Sequence, residues 1–395
     1  DSMTQAVETS TPAATEQHTA CASSTATDAS SVDIEDLAKQ LCLDDLIEKK
    51  CFLYDSESCP ACIIGGIGKA IKISGAPQEN QSRALSRVMR EMGSIDLARR
   101  PTRVYEEVYE GCLETLGVDP YAKLKAVTDI IATSLVERIV PTYRELYPDR
   151  KELTRALVKL ATVGNLIDLN AFHDVSDVEA KFMEAQHRSF MVSAFDSLYD
   201  SLDKGTSLVY LLDNSGECAC DRAVLEHIGQ AYPNITEVTI AVKAGPLIND
   251  VTMADINNPA LGFLDLRFGP DRVKPTFVQM GSKEGGKWPN SAKACDRQML
   301  LGADTVISKG QGNFESLCDV NWPQNAPMVD GVRERVNIYF LFMCKCERMV
   351  DLLTSVADHY TQMPPSATPV PIVRGSVKTG VLLCVTSEPE TAQYR

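Results

Sequence analysis

The stretch of sequence that decides the fold is SLVYLLDNSGE, residues 207–217. It begins as a short apolar run and ends in turn-forming and oxygen-bearing residues, which predicts a buried strand that leads into a loop. Similar apolar runs follow, separated by stretches of helical period; they occupy residues 237–242, 273–280, 305–308 and 336–343. This alternation predicts an α/β domain with a mainly parallel sheet.

The N-terminal half has helical period instead. Apolar residues recur at helical spacing in four stretches, residues 85–92, 104–116, 124–135 and 153–160. Gly117 and Pro141 supply stops for the second and third of these helices. The sequence therefore predicts a Rossmann-like α/β fold with a helical N-terminal subdomain. We expect a disordered tail at residues 1–32, the helical subdomain at 33–200 and the α/β domain at 201–395.

Composition argues against several classes of protein. The chain has 395 residues, with 54 Asp+Glu against 39 Lys+Arg and a formal charge of -15, which repels nucleic acid phosphates. No apolar run approaches the roughly 18 residues that span a bilayer. The Ser/Thr-rich tail has no Lys or Arg before Lys39, which indicates neither a secretory signal nor a transit peptide. With 13 cysteines in so long a chain, we expect reduced thiols and a cytoplasmic protein without nucleic-acid or membrane partners.

Polar residues follow the first two predicted strands. Asp213 and Asn214 come directly after the first run, and Asn249 and Asp250 come after the second. Because the carboxyl ends of parallel strands meet at one edge of the sheet, we expect Asp213, Asn214 and Asp250 to lie together. Two carboxylates and an amide oxygen suit a hard cation such as Mg²⁺ or Mn²⁺. The alternative interpretation of each junction is a turn or a helix N-cap.

A third junction, SKGQGNFE at residues 308–315, has the character of an anion cradle. Gly310 and Gly312 let backbone amides approach an anion, and Lys309 supplies positive charge. A helix is expected to start near Phe314 with its positive dipole end at the same place. The alternative is a glycine-rich turn with a solvated lysine. A metal site beside an anion cradle indicates phosphoryl transfer.

These three junctions resemble the signatures of the metal-dependent damage-control phosphatase family, formerly domain of unknown function 89. The matching strings are LLDNSGE at 211–217, GPLINDVT at 245–252 and SKGQGNFE at 308–315. Two further strings, GNLID at 164–168 and Cys344-Lys345-Cys346, fall where that family has related patterns. Order and spacing match over roughly residues 51–350, most of the chain beyond its tail.

The resemblance implies a helical subdomain packed on an α/β domain, and hydrolysis of phosphate monoesters of small metabolites. The family's substrates are sugar phosphates or damaged phosphometabolites, so a small phosphorylated metabolite is the expected partner and metabolite damage control the expected role. One divalent metal, Mg²⁺, Mn²⁺, Co²⁺ or Ni²⁺, would be bound by Asp213, Asn214 and Asp250. The resemblance implies that Lys309 binds the phosphoryl group and that Asn165 and Asp168 lie near the pocket. We further expect the backbone amides of the Gly310–Asn313 segment, with Gly310, Gly312 and Asn313, to hold the other phosphate oxygens.

Two catalytic routes follow from this set of residues. In the first, a metal-bound water attacks phosphorus directly, and Asp250 or Glu217 orients it. In the second, Asp213 forms an aspartyl phosphate, as in haloacid dehalogenase-like phosphatases. Those enzymes carry Asp-x-Asp after the first strand, whereas Ser215 stands at the second Asp position here, which favours the direct route.

A Cys-x-x-Cys motif, Cys59 to Cys62, resembles one found in the microbial branch of the family. One such motif is half of a zinc site. The pairs that would complete it as a second, Cys-bound metal site are Cys344 with Cys346 and Cys218 with Cys220. Buried or idle thiols are the alternative.

Two other functions stay open on the sequence. One is a carboxyl methyltransferase, for which the chain shows no Gly-x-Gly-x-x-Gly loop after a strand. The other is a non-enzymatic, metal- or redox-responsive binding protein that acts through Cys59 and Cys62. The sequence predicts no particular oligomeric state.

Overall fold

Helices make up the first part of the structure. The computed structural model describes residues 58–95, 101–164, 184, 189–281, 299–300, 302–317, 328–329, 332–333, 337–361 and 380–386. The predicted tail lies outside these residues, and all of them belong to one compact unit, Leu43–Arg395. The first helices are α1 (Ser58–Ile73), α2 (Gln78–Gly93), α3 (Pro101–Leu116), α4 (Ala122–Leu146) and α5 (Arg150–Val163).

Helix α3 buries the stripe that its sequence predicts. Val104, Val108, Cys112 and Leu116 are all buried. The helix ends before Gly117, whose φ of 71° lies in the left-handed region that favours glycine at a helix end.

Helix α2 buries a narrower face than its sequence predicts. Ala84 and Val88 are fully buried, whereas Leu85 and Met89 are 45% and 54% exposed. The contact with the neighbouring helices therefore runs along small and branched residues, and the larger side chains of the predicted stripe lie at its solvent edge.

Pro141 does not end α4, so that prediction is wrong. The helix continues through it to Leu146. Ile139 and Tyr143, on either side of the proline, are 3% and 0% exposed, and their packing offsets the roughly 3 kcal/mol cost of an interior proline. Pro141 itself is exposed, so water can bond the carbonyl group that loses its N–H donor.

A six-stranded sheet dominates the second part of the chain. Its strands are β1 (Ser207–Leu211), β2 (Glu237–Lys243), β3 (Thr276–Met280), β4 (Thr305–Lys309), β7 (Asn337–Met343) and β8 (Gly380–Thr386), and a separate hairpin pairs β5 (Met328–Val329) with β6 (Val332–Arg333). The order is β3-β2-β1-β4-β7-β8. The first five of these are parallel neighbours, and only β8 runs antiparallel, against β7. The predicted α/β class with a mainly parallel sheet is confirmed, and β8 is an addition to it.

Helices cover both faces of this sheet. They include α6 (Phe195–Lys204), α7 (Cys218–Ala231), α8 (Met253–Ile256), α9 (Gln311–Leu317) and α10 (Glu347–Thr361). In β1, Leu208 and Tyr210 join one core with side chains of α4, α5 and α7. Val209 and Leu211 point to the other face and join a core with α9 and α10. Burial on both faces explains why the strands are continuous apolar runs in the sequence.

The first three helices share a core of their own. It is built from side chains such as Ile67, Val88 and Val108, and it includes Leu247, which follows β2 and is fully buried. The loop after β2 is therefore anchored among helices α1 to α3. The division between subdomains at residue 200 stays a prediction, since α4 and α5 pack into the core of the sheet.

No helix of the described residues has the length and apolar character needed to cross a bilayer.

Buried His227 of α7 is expected to make stability depend on pH. Its Nε2 lies 2.9 Å from the Thr154 hydroxyl. Burial, helped by the charges of Arg144 and Arg150, lowers its pKa from 6.5 to about 4. Because the folded state favours the neutral ring, its contribution is complete above the unfolded pKa and is lost as the pH falls toward 4. Between pH 7 and pH 5 the loss should reach about 2 kcal/mol.

Thermal unfolding of the wild type and of His227→Gln at both pH values checks this expectation. The glutamine is neutral throughout and keeps a group that can bond Thr154, so its stability should fall less on acidification. Equal falls in the two proteins would show that other groups carry the pH dependence.

Candidate active site

The loop after β1 carries the first three polar residues of the predicted site. Asp213 is buried, with 4% exposure, and its Oδ2 accepts a hydrogen bond of 2.8 Å from Nδ2 of Asn214. Glu217 Oε1 accepts longer bonds, of 3.2 and 3.3 Å, from the backbone and side-chain nitrogens of Asn214. Glu217 thus helps to orient the Asn214 side chain, whose amide nitrogen points toward the carboxylates of Asp213 and Glu217.

Two backbone hydrogen bonds join this loop to the loop after β2. The Val251 N–H donates to the carbonyl oxygen of Asp213 at 2.7 Å, and the Ser215 N–H donates to that of Asn249 at 2.8 Å. Asn214 and Asp250 therefore face one another as an antiparallel bridge. The structure brings together the three residues that the sequence places at the ends of neighbouring strands.

The electrostatics of this meeting point suit a cation. Burial first, and then the charge of Asp213, raise the pKa of Asp250 to about 7. Burial and the charge of Glu217 likewise raise the pKa of Asp213. Asp250 Oδ2 is buried with no hydrogen-bond partner, and the Lys243 ammonium 3.7 Å away offsets only part of the cost of burying this charge. A divalent ion held by these oxygens would stabilise the ionised forms of both carboxylates and would give Asp250 Oδ2 a partner.

The donor set is two carboxylates and an amide. No group of three His, Cys, Asp or Glu side chains in the described part of the chain is placed to hold a metal ion. Asn214 Nδ2 points toward Asp213, so ligation of a metal by the Asn214 amide oxygen, with water for the rest of the octahedron that Mg²⁺ prefers, stays a prediction.

Lys309 ends β4 beneath this site. Its Nζ lies 2.8 Å from Asp221 Oδ1 and 3.9 Å from Glu217 Oε1, and its side chain is 1% exposed. Burial lowers the pKa of Lys309, but these two carboxylates outweigh it and raise the pKa above its ordinary value. The ammonium group is thus fully charged and is paired within the protein.

Gly310 makes room for Asp213. Its φ is +87°, and a Cβ at this position would lie 2.0 Å from Asp213 Oδ2. Its N–H donates to the Leu341 carbonyl at 3.0 Å in this structure, and contact of this amide with an anion stays a prediction. The glycine lets the chain pass directly behind the carboxylate.

The helix after Gly310 also begins earlier than predicted. Helix α9 starts at Gln311 and not near Phe314, because the Phe314 N–H already bonds the Gly310 carbonyl at 3.1 Å. The Asn313 side chain is used for structure: its Nδ2 donates to the Lys309 carbonyl at 2.8 Å and to that of Leu212 at 3.3 Å. Contact of the Gly312 and Asn313 backbone with a phosphoryl group stays a prediction.

The structure adds charged residues that sequence reasoning missed. Lys243, the last residue of β2, is 2% exposed, lies 3.7 Å from Asp250 Oδ2 and bonds the Asn313 side chain. Lys345, exposed beyond β7, acts electrostatically on Asp213 and Asp250. A signal for Lys243 was available, because a lysine that closes an apolar buried strand needs a nearby anion. The predicted Asn165 and Asp168 lie outside the described residues.

The cysteine motif lies near only one of the pairs considered. Cys62 is exposed on α1, and burial of part of its surface, followed by the neighbouring Cys346, raises the pKa of its thiol. Cys218 and Cys220 are buried in α7, where Cys218 Sγ lies 3.9 Å from Asp129. As the described thiols form no metal-type group of three, the second, Cys-bound metal stays a prediction.

Comparison with known proteins identifies the family of the chain. The family model described as the damage-control phosphatase ARMT1-like domain matches residues 56–359. A damage-control phosphatase of Archaeoglobus fulgidus is 24% identical over 313 residues, which cover 77% of this chain and 96% of that protein. Damage-control phosphatase PH1575 of Pyrococcus horikoshii is 27% identical over 229 residues, 58% of this chain and 68% of that protein.

A solved structure shows the same fold. The crystal structure of a DUF89 family protein from Pyrococcus horikoshii matches with a TM-score of 0.61 at 22% identity, covering 76% of this chain and 94% of that one. Because the family model spans most of the chain, this protein belongs to the damage-control phosphatase ARMT1-like family.

Proposed function

We propose that this protein is a divalent-metal-dependent phosphatase that hydrolyses phosphate monoesters of small metabolites, sugar phosphates or damaged phosphometabolites, as metabolite damage control. Relatives named damage-control phosphatases support the phosphatase role. The observation that carries the metal dependence is the meeting of two buried carboxylates, Asp213 and Asp250, one of which has an oxygen with no hydrogen-bond partner.

Asp213, Asn214 and Asp250 would hold the ion, which is Mg²⁺, Mn²⁺, Co²⁺ or Ni²⁺. When bound, such an ion supplies charge neutralisation and Lewis-acid activation of a phosphoryl group. Hard oxygen donors of this kind accept all four metals, so availability decides among them.

Three lysines would hold the phosphoryl group in a positive field. The charges of Lys345, Lys243 and Lys309 all act on Asp213, so a phosphate bound beside that carboxylate would experience their combined positive field. Of the three, Lys345 is exposed, so we propose that it makes the first contact with the incoming substrate. Phosphoryl transfer depends mainly on such positioning and charge neutralisation.

Two carboxylates are candidates to orient the nucleophilic water. Glu217 is occupied by the hydrogen bonds that it accepts from Asn214, so we assign to it the positioning of that amide. Asp250 Oδ2 accepts no hydrogen bond, so it is the carboxylate oxygen left to accept one from a water. We therefore assign the orientation of water to Asp250.

Phosphate release after removal and return of metal tests this function. Metal-stripped protein should release no phosphate from an aryl phosphate or from a panel of sugar phosphates, and addition of one or more of the four ions should restore release. Lys309→Ala should lower the restored rate, because it removes a buried charge that acts on Asp213. Absence of release with every ion would reject the phosphatase and favour methyl transfer or a cysteine-centred binding role.

A further inference from the structure

Helix α4 reaches both loops of the candidate metal site. Two of its residues, Lys125 and Asp129, are one helical turn apart and lie on one face. They are 3% and 1% exposed, although both carry charges, so each needs a specific partner. Sequence reasoning gave neither residue a role.

Asp129 holds the loop that carries Asp213 and Asn214. Its Oδ1 accepts a hydrogen bond of 2.5 Å from the Ser215 hydroxyl and one of 2.7 Å from the Gly216 N–H. These donors come directly after the two proposed ligands in the chain, so Asp129 fixes the path of the loop as it leaves the site.

Lys125 holds the other loop. Its Nζ donates to the backbone carbonyl of Asp250 at 3.1 Å and to Asp255 Oδ2 at 2.7 Å. The same oxygen of Asp255 accepts the Thr252 N–H at 2.8 Å, which ties the start of α8 to the lysine. Lys125 therefore fixes the backbone of the third proposed ligand.

We infer that Lys125 and Asp129 are positioning residues of the metal site, so that one turn of α4 holds both of its loops in place. The inference rests on the proposed function. The two loops also bond each other through backbone groups, and Leu247 anchors the second loop among helices α1 to α3. Helix α4 adds a buried charged side chain that bonds each loop close to its proposed ligands. Residues that orient metal ligands typically change metal affinity by 10–100-fold when they are replaced.

Titration of metal-stripped protein with Mn²⁺, with free Mn²⁺ followed by electron paramagnetic resonance, tests the inference. We expect the Kd for Mn²⁺ to rise by roughly 10–100-fold in Asp129→Ala and in Lys125→Met. Asp129→Asn keeps an oxygen that accepts both hydrogen bonds and should recover most of the affinity.

A matched control separates positioning from general stability. Thr154, 1% exposed, bridges His227 and Tyr232 in a buried cluster of α5 and α7. Thr154→Ala should lower the melting temperature and leave the Kd unchanged. If Asp129→Ala does not fold, Lys125→Met still measures the loss of affinity.

The outcomes distinguish the inference from the function on which it rests. A wild type that binds Mn²⁺ with variants that bind equally well would overturn the positioning role alone. An equal loss of affinity in Thr154→Ala would also overturn it, since destabilisation would then be the cause. A wild type that binds no Mn²⁺ would overturn the proposed metal site and the inference together.

Discussion

Asp213→Ala is expected to abolish metal-dependent phosphate release. The substitution removes one of two carboxylates from a donor set that has only an amide besides, so its effect should exceed the roughly 10–100-fold cost of losing a residue that merely orients a ligand. Stability should respond in the opposite direction. Because burial and Glu217 raise the pKa of Asp213, its ionised form is a burden on the metal-free fold at neutral pH.

The metal-free variant should therefore unfold at the same temperature as the wild type or at a higher one, while its activity is lost. Phosphate release and thermal unfolding, measured on the same preparation, check both halves. Asp200→Ala is the matched control, because Asp200 is an exposed carboxylate that lies 3.6 Å from the exposed Lys204, and such surface pairs contribute little. Retained hydrolysis in Asp213→Ala would show that Asp213 is not a metal ligand of the active site.

Gly310→Ala is expected to be almost as damaging, although it adds a single methyl group. The backbone φ of +87° alone costs an alanine roughly 1–2 kcal/mol. The new Cβ would also lie 2.0 Å from Asp213 Oδ2, so the carboxylate or the chain must move. A displacement of about 1 Å at a reacting centre costs roughly 100-fold in rate, and we expect a loss of that order together with a lower melting temperature.

Gly65→Ala is the control for this change. Gly65 lies within helix α1, and a Cβ there would meet nothing within 4 Å. Alanine in a helix interior is favoured over glycine by up to about 1 kcal/mol, so this variant should be slightly more stable and fully active. If Gly310→Ala retained wild-type activity, the close approach of chain and carboxylate would have no catalytic importance.

Most of the sheet could be predicted from the sequence because its strands are buried on both faces. The five predicted runs correspond to β1, β2, β3, β4 and β7, with ends that differ by three residues at most. Strand β8 has the same apolar character, but its antiparallel partner is determined by contact with β7, which a local pattern does not encode. The continuation of α4 through Pro141 could not be predicted for a similar reason, because tertiary packing decides whether a helix tolerates a proline.

The residues of the candidate site also differ in whether a local sequence pattern predicts them. Asp213, Asn214 and Asp250 could be found because each directly follows a strand, and strand ends converge in any parallel sheet. Lys125 and Asp129 could not, because their partners lie between 86 and 130 residues away. Nothing in the local sequence of α4 distinguishes these two charges from the solvated residues beside them.

The burial of Leu247 among the first three helices has a consequence for how the protein opens. Leu247 belongs to the helical core, and Asp250, three residues later, belongs to the edge of the sheet. A motion that separates helices α1 to α3 from the sheet therefore pulls on the chain that presents this carboxylate. Opening of helices α1 to α3 would therefore be coupled to loss of the ion. A bound ion would stabilise these helices against opening although it does not contact them.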